Sequence, residues 1–213
     1  MNWRWPWRKD RGHSISLGEL KWDVHSHVVP GVDDGAPDME AALEMVRGMH
    51  DLGYSGMVVT PHIMSDLYPN RRKTLEPQFE ALQLAVKAEG IQMKLRLAAE
   101  YLLDQELLEN IAKNDVMSFP CIEIPSGIQR SMLLIEFGFH HPPEEALVKE
   151  VMFAAQTRGL TPLLAHCERY PYLHEDPDLL ETWHSRGGWM SVNAASLAGA
   201  YGPAMRDLSL IHI

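Results

Sequence analysis

An alternation of short apolar runs with longer amphipathic stretches is the feature that most constrains how this chain can fold. A short apolar run such as 56–60 is typical of a strand buried in a parallel sheet, and the longer stretches have helical periodicity and end at glycines. The predicted strands are a short strand with its loop at 21–29, then 56–60, 94–100, 132–136, 161–166 and 189–193. The predicted helices are 37–52, 71–90, 104–113, 143–158 and 179–186. A hairpin is predicted within 118–129. Strand followed by helix, without a sequence repeat, indicates right-handed βαβ units and an α/β fold.

Polar side chains recur at or near the carboxyl ends of these predicted strands. They are His25, His27, His62, Glu100, Glu136, His166 and Asn193. In an α/β barrel, this rim is where active sites are built, whereas a doubly wound sheet gathers polar groups mainly at one switch point. Because successive strands each contribute a polar residue, the pattern favours a barrel.

The first of these strands carries a potential metal-binding motif. His25 and His27 are two residues apart, so an extended backbone directs both side chains to the same face, and Asp33 and Asp34 follow in a loop bounded by glycines. Imidazoles and carboxylates suit divalent Zn, Mn or Fe. An isolated His-x-His pair is equally consistent with a surface or core pair that binds nothing.

Further residues of the same types make a metal site the favoured interpretation. His62, Glu100 and His166 all stand at strand ends, and together with the first motif they exceed what one structural zinc requires. Two or three ions that share bridging carboxylates fit this set better. Glu136 is open to two interpretations, because it ends a strand but could equally pair with a basic neighbour.

Arg169 and Cys167 follow His166 closely and have weaker claims to a function. Arginine beside a metal cluster is suited to binding phosphate oxygens, although a surface salt bridge with Glu168 or Asp176 is an equal alternative. Cys167 lacks a downstream glycine-rich loop for cradling phosphate, so we interpret it as a small, partly buried residue rather than a nucleophile.

Composition excludes several classes of protein. The net charge of -10 over 213 residues argues against nucleic acid as a main partner, and no apolar run is long enough to span a bilayer. Two cysteines far apart give no disulfide framework and favour a reducing cytoplasm.

Residues 1–20 form a basic, tryptophan-rich leader, which we expect to be unstructured. The alternative interpretation is weak contact with a membrane surface.

Several motifs together resemble the bacterial CpsB/YwqE-type (CapC-like) tyrosine-protein phosphatases of the polymerase and histidinol phosphatase (PHP) superfamily. The matching segments are 23–36, 60–64, 99–101, 134–137, 164–170 and 192–193. The resemblance implies a distorted (β/α)7 TIM-like barrel with a cluster of up to three divalent ions, most often manganese, with iron, cobalt or zinc as alternatives. It also implies hydrolysis of phosphotyrosine on a protein, typically the tyrosine autokinase that controls capsule or exopolysaccharide export.

The resemblance also assigns roles to individual residues. The implied metal ligands are His25, His27, His62, Glu100, His166 and one of Asp33 and Asp34, with Asp33 favoured and Asp34 left open. Arg169 is implied to contact the substrate phosphate, beside Glu100 and His166 in the catalytic centre. The physiological substrate and the oligomeric state are left open.

The end of the sequence departs from the family pattern. The closing Gly-Ser/Thr-Asp-x-His motif, which carries the last ligands, is absent, and 208–213 has the character of a non-native tail. We therefore expect an incomplete phosphatase domain at 21–207 that lacks its last strand or strands. The alternatives are a phosphoesterase for a small molecule such as a histidinol-phosphate-like compound, or a catalytically inert barrel.

Overall fold

A computed structural model of the chain describes residues 20–122, 126–176 and 178–202. The predicted leader, apart from Leu20, and the predicted non-native tail lie outside the described residues. No helix in the described part of the chain is long and apolar enough to cross a membrane.

Strands and helices alternate along the chain as predicted. The strands are β1 Trp22–Ser26, β2 Gly56–Val59, β3 His62–Ile63, β4 Lys94–Leu97, β5 Glu100–Leu102, β6 Phe119–Ile122, β7 Gln129–Glu136, β8 Leu160–Leu164 and β9 Trp189–Met190. The helices are α1 Met39–Asp51, α2 Arg72–Ala88, α3 Gln105–Ala112, α4 Glu145–Thr157, α5 Pro171–Glu175, α6 Asp178–Ser185 and α7 Ala194–Leu197.

The strands form a parallel sheet that follows chain order. β1 pairs with β2 and β2 with β4, while β3, β5, β7, β8 and β9 pair in that order. Two hydrogen bonds join these ladders, because the Ala98 N–H donates to the Val59 carbonyl at 2.8 Å and the Glu100 N–H donates to the Pro61 carbonyl at 3.1 Å. β2 and β3 therefore form one interrupted strand beside β4 and β5. Within the described ranges, β1 and β9 each pair with a single strand.

Side-chain caps explain where two of the helices begin. The Asp38 carboxylate accepts a hydrogen bond of 2.9 Å from the Ala41 N–H at the start of α1, and Asp104 accepts one of 2.8 Å from the Leu107 N–H at the start of α3. Each cap satisfies an amide that has no partner within the helix. The predicted helix starts at 37 and 104 are thus correct to within two residues.

An apolar layer on one face of the sheet supports the polar cluster described below. Val58, Ala98, Met132, Leu134 and Leu163 form a buried cluster that contains no helical residue, so it lies on the face of the sheet opposite the helices. Side chains two residues apart along a strand share a face. Glu100 and Glu136 continue this face beyond Ala98 and Leu134, which places both carboxylates at the carboxyl end of the sheet.

The predicted boundaries are wrong at several points. The predicted strand 94–100 is interrupted at 98–99, and the predicted strand 189–193 has regular pairing only at Trp189–Met190 because Asn193 already stands at the start of α7. The short helices α5 and α7 were not predicted. The predicted hairpin within 118–129 is confirmed, since β6 pairs antiparallel with β7, although 123–125 lies outside the described residues.

Candidate metal centre

Glu100 lies at the centre of a cluster of histidines. Its Oε2 atom is 3.0 Å from His25 Nε2, 3.1 Å from His27 Nε2 and 3.2 Å from His62 Nδ1. Its Oε1 atom is 3.0 Å from His166 Nε2. The Glu100 side chain is fully buried, so these imidazoles are its immediate surroundings. Strands that are distant in sequence therefore direct their ligand-type side chains to one carboxylate, as the strand-end pattern predicts.

Glu136 extends the cluster on the side of His62. Its Oε1 atom is 3.1 Å from His62 Nδ1, and its Oε2 atom is 3.8 Å from His166 Nε2. Of the two interpretations open for Glu136, the structure supports its place among the ligand-type residues rather than pairing with a basic neighbour.

The residues present fit a bound divalent metal. His62 Nδ1 and Glu136 Oε1 are both buried and close to each other, yet neither makes a hydrogen bond within the described residues. A buried polar atom without a partner is costly, and coordination to a cation would satisfy both atoms. Three sets of side chains each bring their ligand atoms within 4.8 Å of one another. The sets are His25, His27 and Glu100; His27, Asp34 and His62; and His62, Glu100 and Glu136.

The electrostatics of the cluster favour positive charge at its centre. Burial alone would raise the pKa of the Glu100 carboxyl, but its hydrogen bonds with His166, His25 and His27 outweigh burial and hold that pKa well below its usual range. Burial opposes a charge on His27 too, yet its bonds with Asp33 and Glu100 raise its pKa to about 10. The lowered pKa values of Glu100 and Asp33 keep both carboxylates ionised beside the imidazoles, and an ionised Glu100 would attract a metal cation as it attracts protons.

Asp33 and Asp34 occupy different positions although they are adjacent in sequence. The fully buried Asp33 carboxylate accepts hydrogen bonds from His27 Nδ1 at 2.8 Å, from the His62 N–H at 3.0 Å and from the Gly35 N–H at 3.0 Å. Asp34 lines the pocket, and its Oδ1 atom is 3.4 Å from His62 Nε2. Asp33 therefore contacts the His27 ring from behind and binds the His62 backbone, whereas Asp34 faces the cluster.

Close backbone packing fixes the loop that carries these aspartates. A Cβ atom at Gly35 would lie 2.0 Å from the His27 carbonyl oxygen, so only glycine fits there. The Ala36 N–H donates to that same carbonyl at 3.0 Å. The predicted glycine boundary of the loop thus has a structural role beside a ligand-type histidine.

His166 has a strained backbone, and a one-turn 3-10 helix at Cys167–Arg169 follows it. His166 adopts the left-handed conformation with φ 32° and ψ 52°, which is uncommon for residues other than glycine. The Glu168 carboxylate is buried and accepts hydrogen bonds from the Ser196 hydroxyl at 2.6 Å and from the Asn193 N–H at 3.1 Å. Glu168 therefore joins this turn to the start of α7 rather than pairing with Arg169.

A pocket opens above the cluster, with a cavity of about 220 Å³. Besides the ligand-type side chains, Phe139, Arg169 and Asn193 line it. The Arg169 guanidinium carbon is 5.0 Å from the centre of the Phe139 ring. The predicted phosphate-binding arginine thus stands at the mouth of the pocket, next to an aromatic ring.

Cys167 is fully buried, and burial raises the pKa of its thiol to about 12. Both observations agree with the prediction that Cys167 is not a nucleophile.

Comparisons with known proteins agree with this geometry. The family described as "Capsular polysaccharide synthesis, CpsB/CapC" matches residues 21–210. The chain belongs to this family. The predicted resemblance is therefore confirmed. A chain from the crystal structures of YwqE from Bacillus subtilis and CpsB from Streptococcus pneumoniae, both described as metal-dependent tyrosine phosphatases, superposes with a TM-score of 0.78. The two chains are 28% identical, and the match covers 89% of this chain and 72% of the other. This match also confirms the predicted α/β fold of the PHP-barrel type.

Relatives in the CpsB/CapC family carry consistent names. "Tyrosine-protein phosphatase YwqE" of Bacillus subtilis is 28% identical over 188 residues, which cover 88% of this chain and 70% of the relative. "Putative tyrosine-protein phosphatase CapC" of Staphylococcus aureus is 26% identical, again over 88% of this chain and 70% of the relative. "Tyrosine-protein phosphatase CpsB" of Streptococcus pneumoniae is 23% identical, over 81% of this chain and 67% of the relative.

Two aromatic residues of this CpsB/CapC-family site were missed by the sequence analysis. Phe139 lines the pocket, and the Tyr68 ring stacks on His62 with centroids 5.4 Å apart and planes 10° apart. Tyr68 lies in a turn closed by reciprocal backbone hydrogen bonds with Met64. Neither aromatic residue belongs to a periodic pattern. The one available signal for Phe139 is its position three residues after the strand-end Glu136.

Proposed function

We propose that this chain is a metal-dependent protein-tyrosine phosphatase, a phosphoric monoester hydrolase that acts on phosphotyrosine. The observation that carries the proposal is the buried Glu100 carboxylate within about one hydrogen-bond length of four histidine side chains, at the base of a pocket with Arg169 at its mouth. The names of the family's relatives support the same activity.

We assign the metal ligands by their positions in the cluster. The proposed ligands are His25, His27, Asp34, His62, Glu100, Glu136 and His166. Asp33, which the sequence analysis favoured as a ligand, is instead proposed to orient His27 through the bond to its Nδ1 atom. A partner behind a ligating histidine fixes the orientation of the ring and leaves the other nitrogen free for the metal.

The position of Glu100 supports more than one ion, because each of its two oxygens faces a different histidine and could bind a separate ion. We propose a cluster of up to three divalent ions, with manganese favoured and iron, cobalt or zinc as alternatives. When bound, such ions supply an activated water as nucleophile and neutralise charge on the phosphoryl group.

The chain's own residues position the substrate for that chemistry. Arg169 stands at the pocket mouth and offers planar, charged donors to the phosphate oxygens. Charge spreads over these oxygens in the transition state of phosphoryl transfer, so a fixed guanidinium stabilises that state. The Asn193 side chain lines the same pocket. Its position is fixed by the hydrogen bond that the Asn193 backbone N–H donates to the Glu168 carboxylate.

Metal dependence and substrate class can be tested together. The chelated protein should be inactive, and Mn²⁺ should restore hydrolysis of p-nitrophenyl phosphate and of a phosphotyrosine peptide. Full activity after exhaustive chelation would rule out the metal mechanism. Faster turnover of small alkyl phosphates than of phosphotyrosine would instead indicate a small-molecule phosphoesterase, and failure to bind metal would indicate an inert barrel.

We propose a tyrosine autokinase of capsule or exopolysaccharide biosynthesis as the protein substrate. The family's description as capsular polysaccharide synthesis proteins supports this partner. The direct test is to incubate the Mn²⁺-loaded protein with the phosphorylated autokinase encoded by the same genome and to follow loss of phosphotyrosine by immunoblot. Persistence of the signal while a phosphotyrosine peptide is hydrolysed would exclude this partner and leave the activity standing.

A further inference from the structure

Phe139 is the one side chain without a polar atom among the described residues that line the pocket. Every other lining side chain has a nitrogen or oxygen suited to a metal or a phosphate. Phe139 is half-buried, so part of its ring contacts neighbours and part is accessible at the pocket mouth. An apolar ring beside a cluster of charged groups is unexplained by metal or phosphate binding alone.

Buried aromatic residues hold the Phe139 ring in place. Its centroid is 5.4 Å from that of Tyr170 with planes 28° apart, and 5.7 Å from that of His166 with planes 20° apart. Tyr170 is fully buried, and its hydroxyl accepts a hydrogen bond of 2.9 Å from the Phe137 N–H. The ring therefore needs no ordering when a ligand binds, which reduces the entropic cost of forming a contact with it.

The position of the ring matches the anatomy of an aryl phosphate. In such an ester, one oxygen separates the phosphorus from the aromatic ring, so the two groups bind at neighbouring points of a site. Arg169, the proposed phosphate ligand, lies 5.0 Å from the Phe139 centroid. A phosphate bound between Arg169 and the metal-type cluster would leave its ester substituent near Phe139.

We propose that Phe139 is a specificity-determining residue, whose ring packs against the ring of a phosphotyrosine and makes the site prefer aryl over alkyl phosphates. This inference rests on the proposed phosphatase function and names the residue that selects the substrate class. An aromatic pair contributes both the apolar area it buries and a further ring–ring attraction, so we expect a loss of preference of roughly tenfold when the ring is removed.

The test measures binding separately from turnover. Titration calorimetry with the Mn²⁺-loaded chain would compare phenylphosphonate with methylphosphonate, which share the phosphonate and differ in the ring. We expect wild type to bind phenylphosphonate more tightly and Phe139→Ala to lose about tenfold in affinity for it, with methylphosphonate unaffected. Phe139→Leu, which keeps an apolar side chain, should lose less. Phe153→Ala, at a 72% exposed position of α4, is the matched control and should behave as wild type.

Two results would overturn the inference. Equal losses for both phosphonates in Phe139→Ala would mean that the ring only supports Arg169 or His166. Unchanged affinities for both phosphonates would mean that the ring does not contact the ligand. Turnover of phenyl phosphate by wild type tests the proposed function separately. No turnover together with a ring-dependent binding preference would reject the phosphatase activity and retain the role of Phe139.

Discussion

Substitution of the two adjacent aspartates provides the sharpest test of the proposed metal centre. Asp33→Asn and Asp34→Asn each remove one negative charge with almost no change in volume. The side chain of Asp33 is fully buried and accepts three hydrogen bonds, whereas that of Asp34 is 63% exposed and contacts His62 Nε2 at 3.4 Å. The two variants should therefore fail in different ways.

The effect on the metal-free protein follows from the hydrogen bonds of Asp33. An asparagine can keep its carbonyl oxygen toward His27 and His62, but its amide group then faces the Gly35 N–H, so a donor meets a donor. Loss of that bond and of the charge opposite His27 should reduce the free energy of unfolding by roughly 2–4 kcal/mol. Asp34→Asn should change it by no more than about 0.5 kcal/mol, as for other surface substitutions.

The effect on metal binding reverses this order. Removing the partner of a ligating histidine typically weakens metal affinity about 10–100-fold, and removing a ligand weakens it more. With metal at 100 times the wild-type Kd, binding stabilises wild type by about 2.7 kcal/mol, and tenfold weaker binding reduces this to about 1.4 kcal/mol. Asp34→Asn should lose nearly all of this metal-dependent stabilisation, and Asp33→Asn should retain part of it.

Urea denaturation in EDTA and in Mn²⁺ at about 100 times the wild-type Kd measures both quantities on the same samples. Calorimetric titration of Mn²⁺ gives the affinities independently. Equal stability of wild type and Asp33→Asn in EDTA would contradict the assigned hydrogen bonds. Full metal-dependent stabilisation of Asp34→Asn would remove Asp34 from the proposed ligand set.

Two further substitutions test how the surrounding structure supports the site. Gly35→Ala should destabilise the protein by about 3 kcal/mol and weaken metal binding, because the added Cβ collides with the His27 backbone. The control is Gly48→Ala, where an added Cβ meets no atom within 4 Å. This substitution should stabilise α1 by about 0.5–1 kcal/mol. Ser196→Ala leaves the buried Glu168 carboxylate without its 2.6 Å hydroxyl donor, and urea denaturation should show a loss of about 2–3 kcal/mol. A stable Gly35→Ala variant, or a loss below about 0.5 kcal/mol in Ser196→Ala, would contradict these structural roles.

The fold was largely predictable because burial leaves a periodic record in the sequence. The buried run Gly56–Val59 and the apolar face of α2 both carry that record. The short helix α7 does not, since the Glu168 carboxylate, distant in sequence, accepts hydrogen bonds from the Asn193 N–H and Ser196 hydroxyl at its start. Such elements depend on tertiary contacts, which no local pattern reveals.

The site was predictable to the extent that parallel strands end at the same edge of a sheet. That rule alone brings His62, Glu100 and His166 together, although their positions span more than a hundred residues of sequence. Phe139 was not predictable in this way. It lies in a loop after β7, where an aromatic residue could equally be exposed, and its stacking on Tyr170 becomes evident only in three dimensions.

The proposed difference in role between Asp33 and Asp34 has a local cause that can be stated in terms of acceptor capacity. Asp33 Oδ1 accepts from the N–H two residues ahead, at Gly35, which is the hydrogen bond of an Asx-turn, and its Oδ2 accepts from His27 and His62. An ionised carboxylate offers about four acceptor sites, so these three bonds leave little capacity for an ion. Asp34 makes no such turn bond within the described residues and keeps its oxygens toward the pocket. In this loop, where Asp33 and Asp34 precede Gly35, we therefore propose that the turn engages Asp33 and leaves Asp34 for the metal.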